Sequence, residues 1–298
     1  MKHIGIGGVN FNINSTVSVE IKEDDPYYAS FFCKSKEKEG LIDIQVRLEL
    51  GNLPDTAKFD RVFDSGQAWT MYREGKFFWL VRHPPAFEEP LCAARFSRDS
   101  KEIIIYCGKD IVAEKDGKTI VLNPLGYPQG QILLMYILAL NKGAVVHSLA
   151  IPIGGRVYLF PGASGAGKST LSRLFTDRAE QPLSVLSDDR TVVRKIGETW
   201  KAFGTPWPGE AGAALNESAP LEAVYFLVHG GSNRVRKLDT REAAEKFLQV
   251  TSIPWYDREI MPELLFFCEE LVNRIPCFEL QFVPDAGVVD FLLKRFSY

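Results

Sequence analysis

Gly162-Ala163-Ser164-Gly165-Ala166-Gly167-Lys168-Ser169 is a complete G-x-x-x-x-G-K-[ST] string, and it follows the apolar run Val157-Tyr158-Leu159-Phe160. These residue types at this spacing suit the cradling of a phosphate chain. The glycines let the backbone curl so that its N–H groups point inward, Lys168 reaches the outer phosphates, and Ser169 can hold Mg²⁺. A helix starting near Lys168 adds the positive end of its dipole. Leu171, Leu174 and Phe175 continue at helical spacing, as that helix requires. The run Gly162 through Thr170 is therefore the expected nucleotide-binding segment, with ATP and Mg²⁺ as the expected ligands.

A phosphate-binding loop does not say what the nucleotide is for, and a pair of acids narrows the choice. Asp188 and Asp189 close the apolar run Leu183-Ser184-Val185-Leu186-Ser187, which reads as a buried strand. Neighbouring side chains of an extended segment point to opposite sides, so one carboxylate can serve Mg²⁺ while the other faces an acceptor hydroxyl as general base. Glu210 is either a second acid for the metal or the substrate, or a loop acid of a Pro-Gly turn; Trp207, between two prolines, either lines the mouth of a site or plugs a core. Phosphoryl transfer also needs positive charge beyond Lys168. Arg190, Arg234, Arg236 and Arg241 are the candidates, and spacing singles out none of them.

The stretch from His147 through Gly155, the loop Gly162 to Ser169 and the string Ser187-Asp188-Asp189-Arg190 resembles the catalytic domain of the HPr kinase/phosphorylase family, which shares its nucleotide fold with the phosphoenolpyruvate carboxykinases. The resemblance spans residues 140 to 215. It implies that His147 supports the base, that Asp188 accepts the substrate hydroxyl proton, and that Asp189 helps hold Mg²⁺, the two aspartates being interchangeable in these roles. Lys168 would act on the transferring phosphate, and Ser169, Asp189 and Glu210 would form the metal set. That family's glycine-rich Arg-Gly signature is replaced here by Phe203-Gly204-Thr205-Pro206-Trp207-Pro208-Gly209-Glu210. The chain looks more like HPr-kinase-related proteins, some of which phosphorylate a serine on a precursor peptide. The function implied is ATP-dependent transfer of the γ-phosphate to a hydroxyl, of a serine in a peptide or small protein. A small-molecule acceptor is the first alternative, and a non-catalytic ATP-binding regulatory or assembly protein the second. Oligomers in the resembled family make a homo-oligomer an expectation. A GTP switch is disfavoured, because Asn141-Lys142-Gly143-Ala144 lacks the acid of an Asn-Lys-x-Asp string and precedes the loop.

The elements that must position these residues fall into two stretches. Over residues 1–123 apolar and polar residues alternate between frequent turns, which predicts a β-rich N-terminal domain for substrate recognition or oligomerisation. The clearest strand is Leu41 to Leu50, with Ile42, Ile44, Val46, Leu48 and Leu50 on one face. Others are expected at Val17–Ile21, Lys76–Val81, Glu102–Cys107 and Thr119–Leu122. The breaker cluster Asn123-Pro124-Leu125-Gly126-Tyr127-Pro128 sets the division, and residues 124–298 form the expected kinase domain. It begins with a buried helix to about Leu140 that stops at Asn141-Lys142-Gly143. Ala144–Ile153 and Arg156–Phe160 are expected to pair through Gly154-Gly155, as are Thr191–Lys195 and Thr199–Phe203. Leu221–Val228 is a further strand, Asp239 with Glu242 a capping box, and Cys277–Phe282 a strand between helices at Pro262–Asn273 and Asp285–Lys294. The fold class is a mixed α/β arrangement.

Composition bounds the rest. The 298 residues carry 46% hydrophobic and 24% charged side chains, an ordinary globular balance. A net charge of −3 provides no basic field for nucleic acid. The longest apolar run, Ile132 to Leu140, is too short for a bilayer span, so no membrane partner is expected. Met1-Lys2-His3-Ile4-Gly5-Ile6-Gly7 lacks a signal-peptide pattern, which places the chain in the cytoplasm by expectation. The five cysteines form no C-x-x-C pair and are expected to be reduced core fillers.

Overall fold

The computed structural model describes residues 2–23, 25–35, 39–99, 101–177 and 183–296. The architecture is mixed α/β, with mixed sheets and a few helices. Contacts divide the chain into two units, Met1–Leu140 and Asn141–Tyr298. Among the described residues no helix is long and apolar enough to cross a membrane.

The first unit contains β1 (Lys2–Ile6), β2 (Val9–Ser15), β3 (Val19–Lys22), β4 (Ile42–Leu50), β5 (Asp60–Asp64), β6 (Trp69–Glu74), β7 (Phe77–Arg82), β8 (Cys92–Phe96), β9 (Glu102–Cys107), β10 (Val112–Lys115), β11 (Lys118–Leu122) and α1 (Gln129–Ala139). Eight strands form one sheet in the order β1-β2-β4-β9-β8-β7-β6-β5, and β10-β11-β3 form a second. In β4 the alternation holds, since Ile44, Val46 and Leu48 are buried between exposed or half-buried neighbours. The division at 140/141 lies beyond the expected 123/124 because α1 belongs with this sheet. Tyr136 packs on Phe78 and Phe96 with ring centroids 5.7 and 5.2 Å apart, and Gln129 accepts from the Cys92 thiol at 3.1 Å. Those contacts are non-local, and a breaker cluster gives no sign of them. The cysteines also correct in one place: four are buried, but Cys33 is exposed.

The second unit contains β12 (Gly143–Ile153), β13 (Arg156–Pro161), α2 (Lys168–Thr176), β14 (Arg190–Ile196), β15 (Thr199–Phe203), β16 (Ser218–His229), β17 (Arg234–Lys237), α3 (Thr240–Val250), α4 (Met261–Arg274), β18 (Cys277–Phe282) and α5 (Gly287–Phe296). Its sheet runs β13-β12-β14-β15-β16-β18-β17, and β13 also pairs with β16 in parallel. The long strand β12 serves two partners, and β16 serves two besides β13. Gly143–His147 of β12 pair with β14 and Ser148–Ile153 with β13; Ser218–Pro220 of β16 pair with β15 and Val224–His229 with β18. Leu171 and Phe175 of α2 and Val288, Val289 and Leu292 of α5 join a core with Phe160, Tyr225, Leu280 and Phe282. At the start of α3, Asp239 accepts from Glu242 N at 2.8 Å while the Glu242 carboxylate accepts from Asp239 N, the expected capping box.

The expected strand Leu183–Ser187 is a correction, for only Ser187 makes isolated bridges, to Ala150 and Ala214. Backbone bonds to β12 remain at Leu186 and Ser187, from Leu186 N to the Ala150 carbonyl and from Ala150 N to the Ser187 carbonyl, both 2.8 Å, while Leu183 N turns back to the Phe175 carbonyl at 3.2 Å. The hydroxyls of Ser187 and Thr205 both donate to the Arg190 carbonyl, at 2.6 and 2.5 Å, and fold residues 187–190 into a bend.

Tyr136→Ala is expected to lower stability by about 3–5 kcal/mol, because it empties a ring site that is only 2% exposed. Urea unfolding would check it, and a loss under about 1 kcal/mol would mean that α1 does not anchor the first unit.

Candidate active site

The loop between β13 and α2 is held by its own side chains. Lys168 Nζ donates to the carbonyls of Gly162 at 2.7 Å and Ala163 at 3.2 Å. Gly167 precedes α2 with φ +98°, and a Cβ there would stand 2.8 Å from Phe282 Cζ, so both backbone and space exclude a side chain. Helix α2 then drives Leu171 and Phe175 into the core, which aims its amino end at the loop. Burial lowers the pKa of Lys168 below the usual lysine value and Arg190 adds to the effect, while the two aspartates oppose it.

The acids reach this place through β12. His147 lies opposite Arg190 in the antiparallel register, and Ser148 N donates to the Asp189 carbonyl at 3.0 Å. His147 Nε2 is consequently 2.7 Å from Asp189 Oδ1, and Arg190 Nε is 3.3 Å from Asp189 Oδ2. These three side chains stay about a quarter exposed, at 24%, 28% and 27%. Burial alone would push the Asp189 carboxyl up; the His147 hydrogen bond and the charges of Arg190, His147 and Lys168 outweigh it and hold the group below the ordinary carboxylate value.

Asp188 turns the other way. It is 2% exposed, and its carboxylate accepts from the backbone amides of Gly209 (2.9 Å), Ala211 (2.8 Å) and Ala213 (3.1 Å). Three of a carboxylate's roughly four lone-pair positions are thus occupied by one loop. The loop must come close, since a Cβ on Gly209 would stand 3.1 Å from Asp188 Oδ2. The two side chains do diverge as an extended segment requires, but Asp188 is bound to a backbone and Asp189 to two side chains.

One cavity of about 350 Å³ joins these parts. It is bordered by His147, by Ser164, Gly165, Gly167, Lys168, Ser169 and Thr170 of the loop, and by Asp188, Asp189, Gly209 and Glu210. Gly162 and Ala163 take part through the carbonyls that hold Lys168, while Ala166 packs on the core. Ser169, Asp189 and Glu210 border the same space. Among the described residues no cluster of three or more His, Cys, Asp or Glu side chains stands ready to hold a metal alone. Of the arginine candidates, Arg190 reaches Asp189, whereas Arg236 pairs with Glu242 and Glu279, and Arg241 with Glu245. Trp207 is 5% exposed and does not border the cavity, which makes it a plug. Sequence reasoning did not find the amide cradle of residues 209–213. Its only outward sign is the small-residue run Gly209-Glu210-Ala211-Gly212-Ala213.

No family model matches the sequence, and no curated protein matches it. Among solved structures, the chain is similar to the Hpr(Ser) kinase/phosphatase from Coxiella burnetii, with 13% identity and a TM-score of 0.30 over 51% of this chain and 95% of that one.

Asp188→Ala is expected to destabilise the protein by more than about 2 kcal/mol, since it removes a buried acceptor from three partly buried amides, while Asp189→Ala costs less than about 1 kcal/mol. Denaturant melts of the ligand-free chain would show the contrast, and equal losses would remove the distinction between the two acids. Because the Asp189 pKa is lowered on folding, its contribution to stability is present above the ordinary carboxylate value and fades as pH falls through the folded one. Carbon NMR of the Asp189 carboxyl should show a midpoint below that of an unstructured aspartate.

Proposed function

We propose that this chain is an ATP- and Mg²⁺-dependent phosphotransferase whose acceptor is a hydroxyl, that of a serine in a peptide or small protein. The observation that carries this reading is the shared cavity. A glycine loop with Lys168 and the start of α2 borders the same space as the His147–Asp189 pair. The resemblance at His147, at the loop and at Ser187–Arg190 supports it.

The residues present fit a polyphosphate. The first-turn amides of a helix have no acceptor within it, a Cβ at Gly165 would meet nothing within 4 Å, and Lys168 is bound only to loop carbonyls that a phosphate oxygen can replace. Ser169 and Glu210 would hold the metal. With ATP bound, Mg²⁺ supplies neutralisation of charge on the transferring phosphoryl group. Asp189 takes the proton of the acceptor hydroxyl, because it is the more exposed of the two aspartates and its oxygens are not taken up by backbone amides, and His147 holds its carboxylate in place. Asp188 fixes the loop that carries Glu210. This reverses the division of labour that the family resemblance first suggests. Arg190 and Lys168 provide the positive surroundings.

Incubation with ATP, Mg²⁺ and serine-containing peptides, read by mass spectrometry for added phosphate, tests the proposal. Lys168→Ala should abolish transfer, and Asp189→Asn should slow it by at least about 10²-fold with nucleotide affinity little changed. An undiminished rate in Asp189→Asn would return the base to Asp188. Phosphate on small alcohols but on no peptide would make the acceptor a small molecule, and tight ATP binding without any transfer would leave a regulatory protein.

A further inference from the structure

The unit of residues 1–140 holds a cavity of its own, of about 370 Å³. Arg82, at the end of β7, and Asn123, just after β11, line it. Among the described residues, Arg82 Nε and Asn123 Nδ2 are buried and have no hydrogen-bond partner. Asn123 is 5% exposed, and its Oδ1 accepts from Leu125 N at 3.0 Å, so the amide is fixed with its NH₂ group left over. The two donors flank one turn: a Cβ on Gly126 would lie 3.5 Å from Arg82 Nη1 and 3.2 Å from the Asn123 carbonyl. A third donor of this kind, Gln129 Nε2, belongs to the side chain that accepts from Cys92, and Cys92 is the register partner of Arg82. Buried donors without acceptors are costly; of the three, Arg82 Nε and Asn123 Nδ2 belong to residues that border the cavity, where one anionic ligand would satisfy both. A guanidinium beside an amide matches the flat, two-oxygen shape of a carboxylate.

The rest of the lining decides what that carboxylate is attached to. Asp25 and Asp110 also border the cavity. Asp25 caps a 3-10 turn by accepting from Tyr27 N at 2.9 Å, and Asp110 is exposed. Two acids against one arginine make the lining net negative, which disfavours a phosphate dianion and favours a ligand that brings a cation with its anion. The remaining wall includes Tyr28, Leu91 and Ile111, which are 1%, 3% and 5% exposed. The volume is at the small end for ligand sites.

We propose that this cavity binds a free α-amino acid with an apolar side chain: its carboxylate on Arg82 and Asn123, its ammonium beside Asp25 and Asp110, its side chain against Tyr28, Leu91 and Ile111. The site uses no residue of the phosphate loop or of the aspartate pair, so it stands apart from the proposed phosphoryl transfer.

Calorimetry on the full chain with leucine and phenylalanine, their carboxamides, their N-acetyl derivatives and inorganic phosphate tests this. Saturable binding of the free amino acids is expected, lost in the carboxamides and weakened at least about 10-fold by acetylation. Asn123→Asp keeps the acceptor for Leu125 N but sets a negative oxygen where the donor was, and it should abolish binding. Asp110→Asn, at an exposed position, should weaken the free amino acids several-fold with the melting temperature of the ligand-free protein unchanged; should Asn123→Asp fail to fold, this variant decides. The proposal is overturned by no saturable binding at millimolar amino acid, by carboxamides binding as well as acids, by phosphate binding in their place, or by unchanged affinity in the variants.

Discussion

The antiparallel pairing of β12 with β14 sets His147 opposite Arg190, and the bond from Ser148 N to the Asp189 carbonyl carries that register past the end of the ladder. Side chains on one face of a paired strand have no choice of neighbour. Once His147 is on the cavity side, Asp189 meets it and Arg190 closes on the second carboxylate oxygen. A slip of one residue would turn His147 to the other face. The chemistry at this cavity therefore depends on a main-chain register, which the buried Val145, Val146, Val192 and Val193 enforce by having nowhere else to go.

The second support is a loop that orders a loop. Asp188 gathers the amides of Gly209, Ala211 and Ala213 and so fixes the segment that brings Glu210 to the cavity. One buried carboxylate does what a short helix would otherwise do, holding several N–H groups in convergent directions. Two adjacent acids thereby have different work without any difference in side-chain chemistry. Their surroundings separate them: three amides for one, a histidine and an arginine for the other.

What could be read from the sequence was what is local. The glycine loop and the helix after it, the Gly154-Gly155 hairpin, the Asp239 capping box and the strand Cys277–Phe282 each declare themselves within a few residues, and each is present. The allegiance of α1 could not be read, because its evidence is the Tyr136 ring against Phe78 and Phe96, far away in the chain. Nor could the fate of Asp188, whose partners are backbone amides, which all residue types but proline carry. The strand expected over Leu183–Ser187 failed for a related reason, since Leu183 N turns back to the Phe175 carbonyl at the end of α2 and the bonds to β12 come from Leu186 and Ser187.

The several pairings of β12 and β16 have a consequence for how copies of this chain meet. Because β13 pairs with both β12 and β16, the strands β12 to β16 are joined in a ring of pairings, and among the described strands of that sheet β17 has a single partner. This last strand is the four residues Arg234-Val235-Arg236-Lys237. An unpaired rim invites strand addition by another molecule. Here it is short, and of its three cations Arg236 is paired with Glu242 and Glu279, which leaves Arg234 and Lys237 as the charges that oppose a like strand. A short last strand with a cation at each end offers little length for such addition.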